Sequence, residues 1–138
     1  DYKKIKQINS GILPIPELKN WFGFDIKNFS KRKLIHATND YKDILTDDYL
    51  VHFIAIPTEK DGKPYFKILY EVLKRISELK KLSLDRKPLI IIESTLTPQF
   101  TEKKIIPFLK KLKIEFGQDI LYSVAPRRDG FIEGFKNL

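Results

Sequence analysis

The stretch Tyr49-Leu50-Val51-His52-Phe53-Ile54-Ala55-Ile56 decides the fold class of this 138-residue chain. Its β-branched and aromatic residues suit a pleated, packed surface. The run stops at Pro57, which has no N–H to give a sheet ladder. Downstream, Ile68, Leu69, Val72, Leu73, Ile76, Leu79 and Leu82 recur at helical spacing, opposed by Glu71, Lys74, Arg75, Glu78 and Lys81. A second strand follows at Leu89-Ile90-Ile91-Ile92, after Pro88, apolar at every position as a strand covered on both faces should be. A further helix begins after Thr101 and turns Ile105, Ile106, Leu109 and Leu112 inward; Pro107 fits only in its first turn or two. Ile120 to Ala125 gives a third strand, closed by Pro126. Strands alternating with amphipathic helices predict an α/β fold with an open, mainly parallel sheet. The helix from Ile68 to Leu82 should cross over between the first two of these neighbouring parallel strands.

Upstream the signals are weaker. Lys33 to Thr38 reads as an edge strand, and Tyr2 to Ile8 as a helix ending at Asn9-Ser10-Gly11, where glycine suits a left-handed cap. Between them, Gly11 to Lys33 reads as a long surface connection with two short helical possibilities. Its aromatics Trp21, Phe22, Phe24 and Phe29 serve packing or an interface.

Composition bounds the function. Hydrophobic residues make up 42% of the chain, enough for a real core in one domain. No apolar run reaches the roughly 20 residues of a membrane helix, and no secretory leader opens the sequence, so a soluble, cytoplasmic protein is expected. The absence of cysteine removes disulfides, thiolate metal sites and a cysteine nucleophile from these residues; two histidines argue against a metal centre. Methionine is absent too, so Asp1 is not expected to be the natural start. The net charge of +8 comes with basic runs at Lys31-Arg32-Lys33, Lys80-Lys81 and Lys110-Lys111. These read first as solvated faces, and nucleic acid as a lesser alternative. His36 and His52 lie in strand patterns and read as packed or edge residues rather than ligands.

Ligands of open parallel sheets bind where the carboxyl ends of the strands meet the following helices. Three clusters fall there: Pro57-Thr58, Glu93-Ser94-Thr95-Leu96-Thr97-Pro98, and Ala125-Pro126-Arg127-Arg128-Asp129. Each has a plain structural reading, since prolines stop strands, hydroxyls cap helices and arginines cover loops. Their coincidence at one sheet edge points to a site.

Four stretches resemble one family. Ile8-Asn9-Ser10-Gly11-Ile12-Leu13-Pro14-Ile15-Pro16-Glu17 is similar to I-N-x-G-x-x-P-I-x-E, and Phe53 to Thr58 to a strand ending in V-P-T. Ile92-Glu93-Ser94-Thr95 is similar to E-S-T-V, and Tyr122 to Pro126 to the strand before P-E-R. In this order and spacing they resemble the NAD-binding domain of the nucleotide-sugar 6-dehydrogenases, which act on UDP-glucose, GDP-mannose or UDP-N-acetylmannosamine.

The resemblance implies a three-layer, Rossmann-like sheet, with residues 1–138 a partial NAD-binding domain of a larger dehydrogenase that lacks its first strand and glycine-rich turn. It implies NAD as cofactor, a nucleotide sugar as substrate, and a homodimer completed by the missing remainder of the chain. The reaction would take a C6 alcohol to a uronate for polysaccharide or glycan precursors, in two oxidations through a thiohemiacetal on a catalytic cysteine. It places Lys4, Thr58 and Thr95 at the cofactor, gives Thr95 a further catalytic role in ordering water, and matches Glu133 to an acid beside the nicotinamide if two residues are inserted. Asp1 matches the second acid of D-x-D. The catalytic cysteine and G-x-G-x-x-G are not among these residues, so this chain alone is expected to be inactive.

Two positions depart from the pattern. Gln99 stands where P-P-G-T has glycine, and Arg127 where P-E has glutamate. Arg127 and Arg128 either meet the substrate's diphosphate, which guanidinium binds bidentately, or cover a loop. The departures leave open a second class of function, a non-catalytic Rossmann-like interaction or nucleotide-binding module.

Overall fold

The computed structural model describes residues 1–16, 23–43, 51–78 and 87–126. They fall into two compact units, residues up to 43 and residues from 51 to 126.

In the first unit, α1 (Tyr2–Asn9) starts at Asp1, whose carboxylate accepts the Lys3 and Lys4 backbone N–H groups at 3.0 and 3.3 Å. These are donors a helix start leaves unpaired. Beyond α1, Gly11 takes φ 76, as expected of a glycine after a helix end. The space beside it is filled: a Cβ there would lie 2.6 Å from Lys27 Cα. Lys27 belongs to α2 (Ile26–Lys31), which Asp25 caps and whose Ser30 donates to the Ile8 carbonyl at 2.9 Å.

The strand expected at Lys33 to Thr38 does not form. Lys33 turns the chain with φ 56 as α2 ends. The backbone of Ala37 is then met by a side chain: Asn9 Nδ2 donates to its carbonyl at 2.9 Å, and its N–H donates to Asn9 Oδ1 at 2.7 Å. An amide that supplies both partners of a ladder residue removes the need for a neighbouring strand.

The second unit carries the sheet. β1 (Val51–Ile54) pairs in parallel with β4 (Leu89–Ile92), and β4 in parallel with β5 (Leu121–Val124). The register aligns Ile54, Ile92 and Val124, so the three strands end level. The expected parallel neighbours are therefore observed. Between β1 and β4 lie a hairpin, β2 (Glu59–Lys60) with β3 (Lys63–Pro64), and the helix α3 (Lys67–Ile76). The hairpin was not expected. Its turn, Asp61-Gly62, has both residues at positive φ, as a two-residue turn matched to strand twist requires. α3 carries the predicted stripe from Ile68 to Ile76, and Leu79 and Leu82 lie outside the described residues.

The helix after Gln99 begins as a π turn, Thr101–Ile105, and continues as α4 (Ile106–Lys111). Pro107 sits at the start of α4 but inside this continuous helical run, where it has no N–H to give the preceding turn. Its ring crowds the preceding turn, and the chain widens there into i→i+5 spacing. α3 and α4 cover one sheet face. Leu69, Leu73 and Leu109 pack with Ile54, Ile90 and Ile92, all nearly inaccessible. Phe100 joins α3 through rings, with Phe66 at 3.9 Å and Tyr70 at 6.3 Å between centroids. On the opposite face Val51, Phe53 and Leu121 remain exposed. Among the described residues no helix is long and apolar enough to cross a membrane.

Candidate functional site

The chain leaves β1 and β4 side by side, because residues aligned across the pair exit at the same level. Two successive bonds hold the exits together. Glu93 N donates to the Ile54 carbonyl at 3.0 Å, and the Thr58 hydroxyl donates to the Thr95 carbonyl at 2.7 Å. Between these bonds stands Ser94, a buried polar residue. Its Oγ accepts the Ile56 N–H at 2.8 Å and lies 2.8 Å from the Ile56 carbonyl.

The exits enclose a cleft of about 580 Å³, walled by Pro57, Thr58, Glu59, Glu93, Ser94 and Thr95. A second cleft of about 250 Å³ opens between the Thr95–Thr97 loop and the hairpin, and shares Thr58, Glu59 and Thr95 with the first. Together they form one crevice along the carboxyl ends of adjacent parallel strands, the place where sheets of this type take ligands.

The crevice wall mixes apolar surface with hydroxyls and charges of both signs, Lys63 on the hairpin side and Glu59 and Glu93 at the strand ends. The Thr95 hydroxyl is exposed and makes no hydrogen bond among the described residues, which leaves it free for a ligand. Thr58 has committed its hydrogen to Thr95 and offers lone pairs. The carboxylates of Glu59 and Glu93 add negative charge to the wall. At the strand ends, where Glu59 and Glu93 stand and Lys63 does not line the cleft, such a lining suits a neutral group bearing hydroxyls or amides. Ala125 and Pro126 end β5 beside these loops, with Ala125 N donating to the Ile92 carbonyl at 2.9 Å.

Of the expected cofactor residues, Thr58 and Thr95 are thus brought together. Lys4 lies on the exposed surface of α1, in the first unit. Asp1, the match to an acid of D-x-D, caps α1. Arg127, Arg128 and Glu133 lie outside the described residues. Gln99 is exposed and takes φ 62, so the demand at this glycine-like position is a left-handed backbone. Ser94 was missed as a site residue because a serine after a strand reads as a helix cap; its burial reveals another use. The aromatic contacts of Phe66, Tyr70, Phe100 and Phe108 were also missed and belong to packing. No cluster of three or more His, Cys, Asp or Glu suited to a metal occurs among the described residues.

Residues 1–129 match the family described as "UDP-glucose/GDP-mannose dehydrogenase family, NAD binding domain". Among solved structures, GDP-mannose dehydrogenase from Pseudomonas aeruginosa, crystallised as a ternary complex, superposes with a TM-score of 0.74 at 22% identity. The match covers 93% of this chain and 29% of that one. NDP-N-acetyl-D-galactosaminuronic acid dehydrogenase from Methanosarcina mazei Go1 superposes with a TM-score of 0.71 at 25% identity, covering 94% of this chain and 27% of that one. The chain therefore spans under a third of the length of these solved structures. No curated protein sequence matches it.

Proposed function

The chain belongs to the UDP-glucose/GDP-mannose dehydrogenase family, as NAD-binding-domain sequence, and from that premise we propose that it serves an enzyme oxidising the C6 alcohol of a nucleotide sugar to a uronate. In this reading residues 1–138 are part of the NAD-binding domain of a larger dehydrogenase. The remainder of that polypeptide supplies the other cofactor contacts, the sugar site and a homodimer interface. Cytoplasmic synthesis of polysaccharide or glycan precursors is the setting that fits.

The observation that carries the proposal is the threonine pair. Thr58 and Thr95 stand at the ends of adjacent parallel strands, joined by a 2.7 Å bond and lining one crevice, in a chain matched over residues 1–129 to an NAD-binding domain. NAD, when bound, supplies the hydride acceptor. The residues here bind and orient: Thr58 and Thr95 meet hydroxyl or amide groups of the nicotinamide riboside portion. By resemblance Lys4 is a cofactor residue, Arg127 and Arg128 meet the substrate's diphosphate, and Glu133 matches the acid beside the nicotinamide. The 138 residues contain no G-x-G-x-x-G and no cysteine, so turnover is expected only from a complete polypeptide.

The test is NADH formation by that complete polypeptide with UDP-glucose, GDP-mannose, UDP-N-acetylmannosamine and an N-acetylgalactosamine nucleotide. One of these is expected to yield two NADH per sugar. A folded, NAD-binding protein that oxidises none of them would instead support a non-catalytic nucleotide-binding module.

A further inference from the structure

We infer that Ser94 is a positioning residue of the crevice: by holding the backbone of Ile56 it helps set where Thr58 stands, and it thereby presents the Thr58 hydroxyl to the cofactor as an acceptor. The inference rests on the dehydrogenase reading above and adds to it a residue and a polarity.

The argument starts from what β1 lacks. Its last ladder bond joins the Ile54 carbonyl to Glu93 N at 3.0 Å, after which the chain must still travel to Thr58. Pro57 on that path has no N–H with which to pair. Ile56 is the last point before Pro57 at which β4 can hold the path, and Ser94 meets both of its polar groups; beyond Pro57 the Thr58 carbonyl accepts the Tyr65 N–H at 2.8 Å, so Ser94 and Tyr65 bracket Thr58 from either side. Ser94 Oγ accepts the Ile56 N–H at 2.8 Å and has two carbonyls in reach for its own hydrogen, Ile56 at 2.8 Å and Ile54 at 3.3 Å. One hydroxyl thus replaces a ladder rung and extends the β1–β4 pairing to the edge of the crevice. Ser94 is only 8% exposed, so water does not readily take over these bonds.

Two residues later the Thr58 hydroxyl reaches the Thr95 carbonyl at 2.7 Å. A threonine hydroxyl has one hydrogen, and Thr58 has committed it. What remains toward the crevice is lone pairs. The group that the Thr58 hydroxyl recognises is consequently a donor, a ribose hydroxyl or a carboxamide N–H. Were Thr58 to drift, its hydrogen would be free to turn outward and this polarity would be lost. Ser94 therefore acts on cofactor binding through Thr58, without touching the cofactor.

The test is steady-state kinetics of the complete dehydrogenase for wild type, Ser94→Ala, Thr58→Val and the double variant, with NAD varied. Wild-type turnover of a nucleotide sugar checks the underlying reading independently; its absence overturns that reading before Ser94 is assessed. Given turnover, Ser94→Ala should raise KM for NAD about tenfold with kcat within about twofold. Adding Ser94→Ala to Thr58→Val should change KM little further, because residues that act through one another are non-additive. The same KM increase in both backgrounds, or a lower melting temperature with KM unchanged, would overturn the positioning role and leave the dehydrogenase reading standing. If Ser94→Ala fails to fold, Ser94→Cys takes its place, since a thiol is a weaker donor and acceptor. A raised KM dependent on Thr58 supports the role, and an unchanged KM refutes it.

Discussion

Gln99 carries a side chain through φ 62 where Thr97-Pro98 gives way to the helix beginning near Phe100, a backbone that costs an L-residue about 1 to 2 kcal/mol. Glycine avoids that cost and gives back about half of the gain as unfolded-state entropy. Gln99→Gly should therefore stabilise the protein by about 0.5 to 1 kcal/mol, read as a higher denaturation midpoint; a lower midpoint would show that the exposed Gln99 side chain makes a contact worth more than the strain. Thr95 makes the opposite kind of prediction. Its hydroxyl bonds nothing among the described residues, so Thr95→Ala has no cap to lose and should change stability by less than about 0.5 kcal/mol. If the hydroxyl orders cofactor or water, turnover of the complete enzyme should fall by one to three decades, roughly 1.4 to 4 kcal/mol of barrier. An unchanged kcat would remove Thr95 from the catalytic assignment. Both residues could be singled out from sequence, Gln99 as a departure and Thr95 as a motif member. Ser94 could not, because a serine's burial depends on a strand brought beside it from nearly forty positions away, at Ile54 and Ile56.

Among the elements, the junction of α1 and α2 gives a direct test. Gly11 has both φ 76 and a neighbour that a Cβ would strike at 2.6 Å, the Cα of Lys27. Gly11→Ala should cost at least about 1 to 2 kcal/mol, from backbone conformation alone, before the clash is counted. A variant as stable as wild type in chemical denaturation would contradict this packing. In this light the motif Asn9-Ser10-Gly11 is architecture: Asn9 clasps Ala37, and Gly11 lets two helices approach. The clasp also explains why Lys33 to Thr38 was misread. Its alternation has the look of a strand, but nothing local shows that an amide 28 positions away will occupy the backbone. The hairpin at Glu59 to Pro64 was legible in Asp61-Gly62 and was passed over because its strands are two residues long.

Tyr122 on β5 supplies a pH test at the same scale. Burial pushes its phenol pKa above 10.0, the nearby Glu102 carboxylate adds to the rise, and the Thr101 hydroxyl, 3.3 Å away, partly opposes it. The folded state thus retains this proton longer than the unfolded state. Its contribution is complete below pH 10.0 and is lost as pH rises above that value through the folded-state pKa. Tyr122→Phe should flatten the fall in stability on the alkaline side, measured by denaturation at a series of pH values. An equally steep fall in the variant would assign the alkaline sensitivity to other groups.

For the molecule as a whole, three short runs ended by or preceded by proline were enough to expect neighbouring parallel strands, because the first two are each followed by a helical stripe; that β4 stands between β1 and β5 comes from the structure. The runs and stripes are local patterns with a physical period. The crevice is a consequence of register, which aligns Ile54 with Ile92 and so brings Thr58 to Thr95. Sequence order alone placed both threonines at strand ends without stating that they touch. The central claim is that this strand-end crevice holds NAD. The most direct measurement is hydrogen–deuterium exchange on the complete dehydrogenase with and without saturating NAD. The account predicts slower exchange in Thr58 to Glu59 and Glu93 to Thr97, with the outer surface of α3 unchanged. Protection that leaves these two loops unaltered and appears elsewhere on the molecule would contradict it.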